Sequence, residues 1–452
     1  MRAIRTRQIF NIQPVPVSPA VYGNTTVGMF LQDAANNVDS VDILIAGDSN
    51  TNFGGWGWAD GFNFALQNNT SAKEYASPIL PTTSWDSPFY YGVNVTEGAF
   101  SKINASGTVV NPGGSPALGG TLVSGITSGP AALTAGMTRG SGSLQPNTSP
   151  FDYGWVASGD FADPFAAIFA YESSARLQWI TDEIRYRVVH GKGPGMGTLR
   201  LASRLDVAPF TANGTTSISC AQASYEWVTS TLTIAAASGR AGQGHGFNVC
   251  SNAISSSFMT GPMAWALHSI SRPVKGYAVT CISHHGGANM DTVASNVAQA
   301  ATIISQYLKE ARARQIACGG RGRVIVCIQG GINAGVNPWG TSAQSFFQTC
   351  TTEWIALGFP SEDLAFLGFV SHQRDAVDGL ATERASAIAL AAAVPSYTIV
   401  NLPTLVTYDE TFYGNGSMTS WFANSSSDRN HLSALGYQAI SSKIMNALLA
   451  SV

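Results

Sequence analysis

Apolar residues recur along this chain in two rhythms. Residues 41–46, 277–283, 323–329, 364–370 and 398–402 are near-continuous apolar runs, the pattern of strands buried on both faces. Between them the spacing turns helical: Trp58, Phe62 and Leu66 stand four apart within 56–66, and 293–314, 341–357, 381–393 and a closing stretch 433–449 follow the same period. Such alternation predicts a parallel sheet covered by helices on both sides. Residues 77–272 differ. They are rich in Gly, Ser, Thr and Pro, and their best periodicity is two: Ile184, Tyr186 and Val188 against Arg185 and Arg187, then Tyr225, Trp227 and Thr229, then Leu232 and Ile234. That pattern predicts an all-β sandwich. The expected fold class is therefore α/β, a doubly wound parallel sheet interrupted by an all-β insert. Residues 41–76 and 273–452 form the two parts of the α/β domain, 77–272 the insert, and 1–40 an N-terminal arm without clear periodicity, suited to anchoring.

Composition narrows the classes of function. With 452 residues and 45% apolar content the chain can bury a large core. Only 11% of residues are charged, against about 25% in an average soluble protein. A net charge of -3 gives no electrostatic footprint for nucleic acid, and no apolar run approaches the ~20 residues of a membrane span. The opening is basic, but Gln8, Asn11, Gln13 and several prolines interrupt the apolar stretch that a secretory signal needs. A polar, charge-poor surface, an arm and no usual signal are the features expected of a virion (phage particle) component, or of a protein that is extracellular by another route. The six cysteines show no CxxC pair and no metal spacing, so neither a metal nor another cofactor is implied. Cys281 and Cys327 read as buried thiols within apolar strands; pairing of Cys220 with Cys250, or of Cys318 with Cys350, stays open.

In open α/β sheets the site lies beyond the carboxyl ends of the strands. Gly47-Asp48-Ser49-Asn50 follows the first apolar run, Ser283-His284-His285-Gly286-Gly287 the second and Gly330-Gly331-Ile332-Asn333 the third, while Asp428-Arg429-Asn430-His431 precedes the last helix. A serine hydroxyl needs a base to take its proton, and the base needs a carboxylate to orient it; His431 and Asp428 have those chemistries at a spacing that suits one tight turn. Backbone N–H groups at Ser49 and at Gly286 or Gly287, with the Asn333 amide, are donors of the kind an oxyanion requires. Taken singly, Gly-Asp-Ser is a common turn and Asp428 or Asn430 reads equally well as a helix cap. His190, His245, His268 and His372 carry no pattern, and His284 and His285 read as loop residues near the site.

In that order and at those places, the four blocks resemble the SGNH (GDSL) hydrolase superfamily. The resemblance covers the α/β portion, and leaves out the arm and the insert. It implies a three-layer fold with Ser49 as nucleophile, Asp428 and His431 completing a triad, and Gly286 or Gly287 with Asn333 completing the oxyanion hole. One departure stands out: the third block has Ala334 where the family pattern has an aspartate beside the asparagine. An insert between the first two blocks also resembles the jelly-roll-like modules of carbohydrate esterases, and Trp85, Tyr90, Tyr91, Trp155 and Trp227 include rings of the kind that stack on sugars. The expected substrate is an acylated, O-acetyl-bearing carbohydrate or surface polysaccharide. A lipase or thioesterase, and a structural or receptor-binding virion protein on the same fold, are the alternatives; virion or homo-oligomer partners would be held through the arm.

Overall fold

The computed structural model describes residues 19–51, 57–79, 93–94, 101–103, 109–110, 154–156, 165–166, 170–172, 183–205, 212–235, 245–250, 263–283, 289–299, 301–333, 335–372, 379–406 and 431–452. In chain order the strands are β1 (Val21–Tyr22), β2 (Val41–Gly47), β3 (Glu74–Ile79), β4 (Val93–Asn94), β5 (Ser101–Ile103), β6 (Val109–Val110), β7 (Gly154–Val156), β8 (Phe165–Ala166), β9 (Ala170–Glu172) and β10 (Ile184–Lys192). They continue with β11 (Thr198–Leu205), β12 (Ala212–Ser219), β13 (Glu226–Ile234), β14 (His245–Cys250), β15 (Met263–Ser271), β16 (Tyr277–Ser283), β17 (Arg323–Gly330), β18 (Leu364–Val370) and β19 (Tyr397–Val400). The helices are α1 (Thr26–Ala35), α2 (Trp58–Asn69), α3 (Met290–Gln299), α4 (Ala301–Ala317), α5 (Trp339–Ala356), α6 (Ala381–Ala393) and α7 (Ala434–Ala450).

Strands β19, β18, β17, β2, β16 and β3 lie side by side and parallel, and the two-residue β1 closes the β19 edge antiparallel. Side chains alternate across this sheet, so each apolar run feeds two cores. Val41, Ile43, Ile45, Ile325, Cys327, Leu367 and Phe369 join α1, α2 and α7 in one cluster; Leu44, Ala46, Val324, Val326, Ile328 and Phe366 join α3, α4, α5 and α6 in the other. From β2 the chain leaves through α2 on one face; from β16 it leaves through α3 and α4 on the other. The carboxyl end of β2 is therefore a switch point of the sheet, where such folds leave a crevice.

Asp42 interrupts the otherwise apolar β2 and is fully buried. Burial of a carboxylate requires a partner: Arg314 of α4 grips it with Nε to Oδ2 at 2.6 Å and Nη2 to Oδ1 at 2.6 Å, and the Tyr75 hydroxyl donates to Oδ2 at 2.7 Å. Arg314 Nη2 also reaches Thr280 Oγ1 at 2.5 Å, which ties the same helix to β16.

Three expectations need correction. Residues 26–35 of the expected arm are helix α1, with Val27, Phe30, Leu31 and Ala34 buried on one stripe against α7 and the sheet; residues 1–18 lie outside those described. The stretch 293–314 is two helices, α3 and α4, rather than one. Nor do the described strands of 77–272 form a self-contained sandwich. β15 pairs antiparallel with β3, β10 with β15, and β13 with β10, so the α/β sheet continues through them into one sheet of eleven strands. A second, eight-stranded sheet contains β12, β11, β14, β8, β5 and β6 with β9 and β4. The period-two pattern is as expected, with one face of β13 open, yet β10 is buried on both faces. Arg187 bonds Glu310 of α4 through Nε at 2.7 Å and Nη2 at 3.0 Å. Ile184, Tyr186, Val188, Leu232 and Ile234 share a buried cluster with Leu199 and Leu201 of the second sheet.

Trp227 is core, 5% exposed; Trp85, Tyr90 and Tyr91 lie outside the described residues. Cys220, Cys318, Cys327 and Cys350 are buried free thiols, which excludes the Cys318–Cys350 pair and leaves Cys220 unbridged. His190 is also buried, sharing a hydrogen bond of 2.8 Å between Nε2 and Ser230 Oγ, and burial pushes it down to about 4.

Candidate active site

β2 ends on Gly47, in register with Ser283 of β16. A side chain cannot replace that glycine: a Cβ there would stand 2.3 Å from Gln329 Nε2 and 2.6 Å from Thr51 Oγ1. The chain then tightens into a single 3-10 turn, Ser49–Thr51, closed by the Thr51 N–H donating to Asp48 O at 3.0 Å. Ser49 opens this turn, at the edge of the sheet where the crevice was expected.

Beneath the turn is a buried polar plate. Asp48 Oδ1 accepts from the Asn50 N–H at 2.9 Å, from Asn50 Nδ2 at 3.1 Å and from Gln329 Nε2 at 3.1 Å. Gln329 Nε2 also donates to Thr51 Oγ1 at 2.5 Å, and its Oε1 accepts from Ser371 Oγ at 3.1 Å. Ser371 is held in turn by its N–H on Gly330 O at 2.8 Å and by Arg384 Nη2 on its carbonyl at 2.8 Å. From the other side the Tyr437 hydroxyl of α7 donates to Asn50 Oδ1 at 2.6 Å. The serine turn is thus fastened to β17, to the end of β18 and to the last helix at once, the supporting shell that a precise site needs. Sequence reasoning missed Gln329, Ser371 and Tyr437; the signal available for the first two was a polar residue at or just past the end of an apolar strand, and Tyr437 carried none.

His431 stands just before α7. The helix cap is Ser433, whose Oγ accepts from the Gly436 N–H at 3.2 Å, so the capping alternative for Asp428 or Asn430 is not needed by this helix. Histidine and serine turn are neighbours electrostatically. Burial raises the Asp48 carboxyl above the usual carboxylate range, while hydrogen bonds from Gln329 and Asn50 and the charge of His431 offset part of that rise. Asn333 is half-buried beyond the end of β17, next to β2 in the sheet. Asp428, Gly286, Gly287 and Ala334 lie outside the described residues, as do His284 and His285. A serine turn, a histidine and an asparagine from separate parts of the sequence are therefore brought to one end of the sheet.

No protein-family model matches the chain, and neither does any curated protein. Among solved structures, that of a peptidoglycan O-acetylesterase superposes with a TM-score of 0.54 at 12% identity and covers 95% of this chain and 98% of its own. The chain shares the fold of that structure. Its coverage takes in both the α/β portion and the β-rich segment, so the fold is matched as a whole. A family two carbohydrate esterase from Clostridium thermocellum, solved with cellohexaose, matches 65% of this chain and 97% of its own at 11% identity, with a TM-score of 0.25, too low to bear on the fold. Among the described residues no group of three or more His, Cys, Asp or Glu is placed to hold a metal ion, and no helix is long and apolar enough to cross a membrane.

Proposed function

We propose that this protein is a serine esterase of the SGNH type that removes acyl groups, O-acetyl foremost, from a carbohydrate polymer. The observation that carries the reading is the serine turn fastened through Tyr437–Asn50 to α7, the helix that begins just after His431. In this reading His431 takes the Ser49 proton as the hydroxyl attacks the ester carbonyl, and Asp428 fixes the imidazole tautomer and steadies the imidazolium. The Ser49 N–H, the N–H of Gly286 or Gly287, and the Asn333 amide share the charge of the tetrahedral oxyanion. Collapse expels the sugar hydroxyl with the proton held by His431; water, deprotonated by the same histidine, then frees the acid. The peptidoglycan O-acetylesterase likeness makes an O-acetylated glycan the first polymer to test, and assembly into a virion belongs to the same proposal.

Hydrolysis of p-nitrophenyl acetate by wild type, Ser49→Ala and His431→Ala is the direct test. Both variants should lose about 10⁴-fold or more in turnover with unchanged melting temperatures. Wild-type activity should fall on acidification through the range in which imidazoles gain a proton. A Ser49→Ala variant as active as wild type, or a rate flat from about pH 5 to 9, ends this reading.

A further inference from the structure

The connection from β17 to α5 carries Asn333, and little apolar burial holds its outer part: Val336 is 95% exposed. What holds it is a carboxylate from another element. Asp291, the second residue of α3, accepts from the Val336 N–H at 2.6 Å and the Asn337 N–H at 3.1 Å on Oδ2, and from Asn337 Nδ2 at 3.0 Å and Ser342 Oγ at 2.6 Å on Oδ1. The backbone at Gly335 passes so near that a Cβ there would be 2.9 Å from Asp291 Oδ2. Asp291 is not spent on its own helix, because Asn289 Oδ1 accepts from the Thr292 N–H at 2.9 Å and fills the cap. On the other side of Asn333, Ile332 is buried at 5% exposure. Asn333 is therefore strung between an apolar anchor and an ionic one.

We propose that Asp291 is the positioning residue of the oxyanion loop, setting through the 335–337 backbone where the Asn333 amide stands against the reacting ester. The inference rests on the esterase reading above. It also accounts for the departure in the third block: the loop that has Ala334 in place of an acidic residue receives its carboxylate from α3. Burial raises the Asp291 carboxyl, but the donors on Ser342, Asn337 and Val336 outweigh it and hold the group below the usual carboxylate range, so it is an anion throughout the assay range.

A double-mutant cycle on p-nitrophenyl acetate tests this. Asn333→Ala should lower kcat by about 10²–10³-fold. Asp291→Ala should lower kcat by about 10–100-fold, the loss expected of a misplaced group, with KM changed less than about twofold. The double variant should be no slower than Asn333→Ala alone. A product of the two losses in the double variant, or a normal kcat in Asp291→Ala, overturns the proposal while leaving the esterase reading intact. A normal kcat in Asn333→Ala removes the role of Asn333, and with it this inference. Should Asp291→Ala not fold, Asp291→Asn has the same shape without the charge and reads the same cycle.

Discussion

The carboxyl of Asp48 has three donors on Oδ1 and, among the described residues, none on Oδ2. Its pKa is raised by burial, so the native state binds the proton more tightly than the unfolded chain does. Stability is then lost as pH rises from the unfolded value, near ~3.9, through the raised native one. Asp48→Asn keeps the Oδ1 acceptor and cannot ionise. Its melting temperature relative to wild type should rise from acid to neutral pH, and a gap constant from about pH 4 to 8 would show that ionisation is not what Asp48 costs. Asp291 has the opposite sign: its depressed pKa gives stability that is complete above the unfolded value and lost only as pH falls through the native one. The places of Ser49, His431 and Asn333 in the fold were legible in the sequence because each follows a strand or precedes a helix. Asp291 and Gln329 were not, since what makes them matter is a partner 45 or 281 positions away, which no local pattern contains.

Helix α4 shows how an element can be fixed by polar contacts in its last turns. Arg314 binds Asp42 near one end and Glu310 receives Arg187 and Thr229 one turn earlier, with Thr229 Oγ1 at 2.9 Å from Oε2. A buried ion pair adds little over an apolar replacement, but removing one partner strands the other charge. Arg314→Ala should therefore destabilise the fold by about 3–5 kcal/mol, and adding Asp42→Asn should recover part of that; equilibrium urea unfolding with an unchanged slope measures both. An Arg314→Ala loss below about 1 kcal/mol would mean that water already reaches the pair. Five of the six parallel strands were legible at this scale because a doubly buried strand needs a continuous apolar run; β3 was not, since Glu74, Ser77 and Pro78 break its run. Helix α1 was overlooked although its stripe is regular: Gly28 weakens it as an isolated helix. That glycine is required by packing, since a Cβ would come within 2.5 Å of Leu448 O on α7.

Across the whole molecule, the strands of the middle segment alternate between two sheets: β10 in the first, β11 and β12 in the second, β13 in the first, β14 in the second, β15 in the first. Period two identifies a strand without naming its sheet, which is why this segment reads in sequence as a separable sandwich. Replacing residues 77–272 with a short Gly/Ser linker should yield no soluble protein with a cooperative melt, because it uncovers the β3 edge and removes both side-chain donors from Glu310. A soluble deletion that still cleaves an aryl acetate would show instead that β3 suffices as an edge. The same weave orders events on the ribosome. Val41 of the central strand pairs with Tyr277 on one side and Arg323 on the other, both made long after it, whereas β10 through β15 find most of their neighbours within their own stretch of chain. The middle segment can close while synthesis continues, and the central strand waits with both edges bare until β16 and β17 emerge. Such long-range pairing is slow, and a bare apolar strand invites intermolecular pairing, so nascent chains stalled before β17 are the form of this protein most dependent on chaperones.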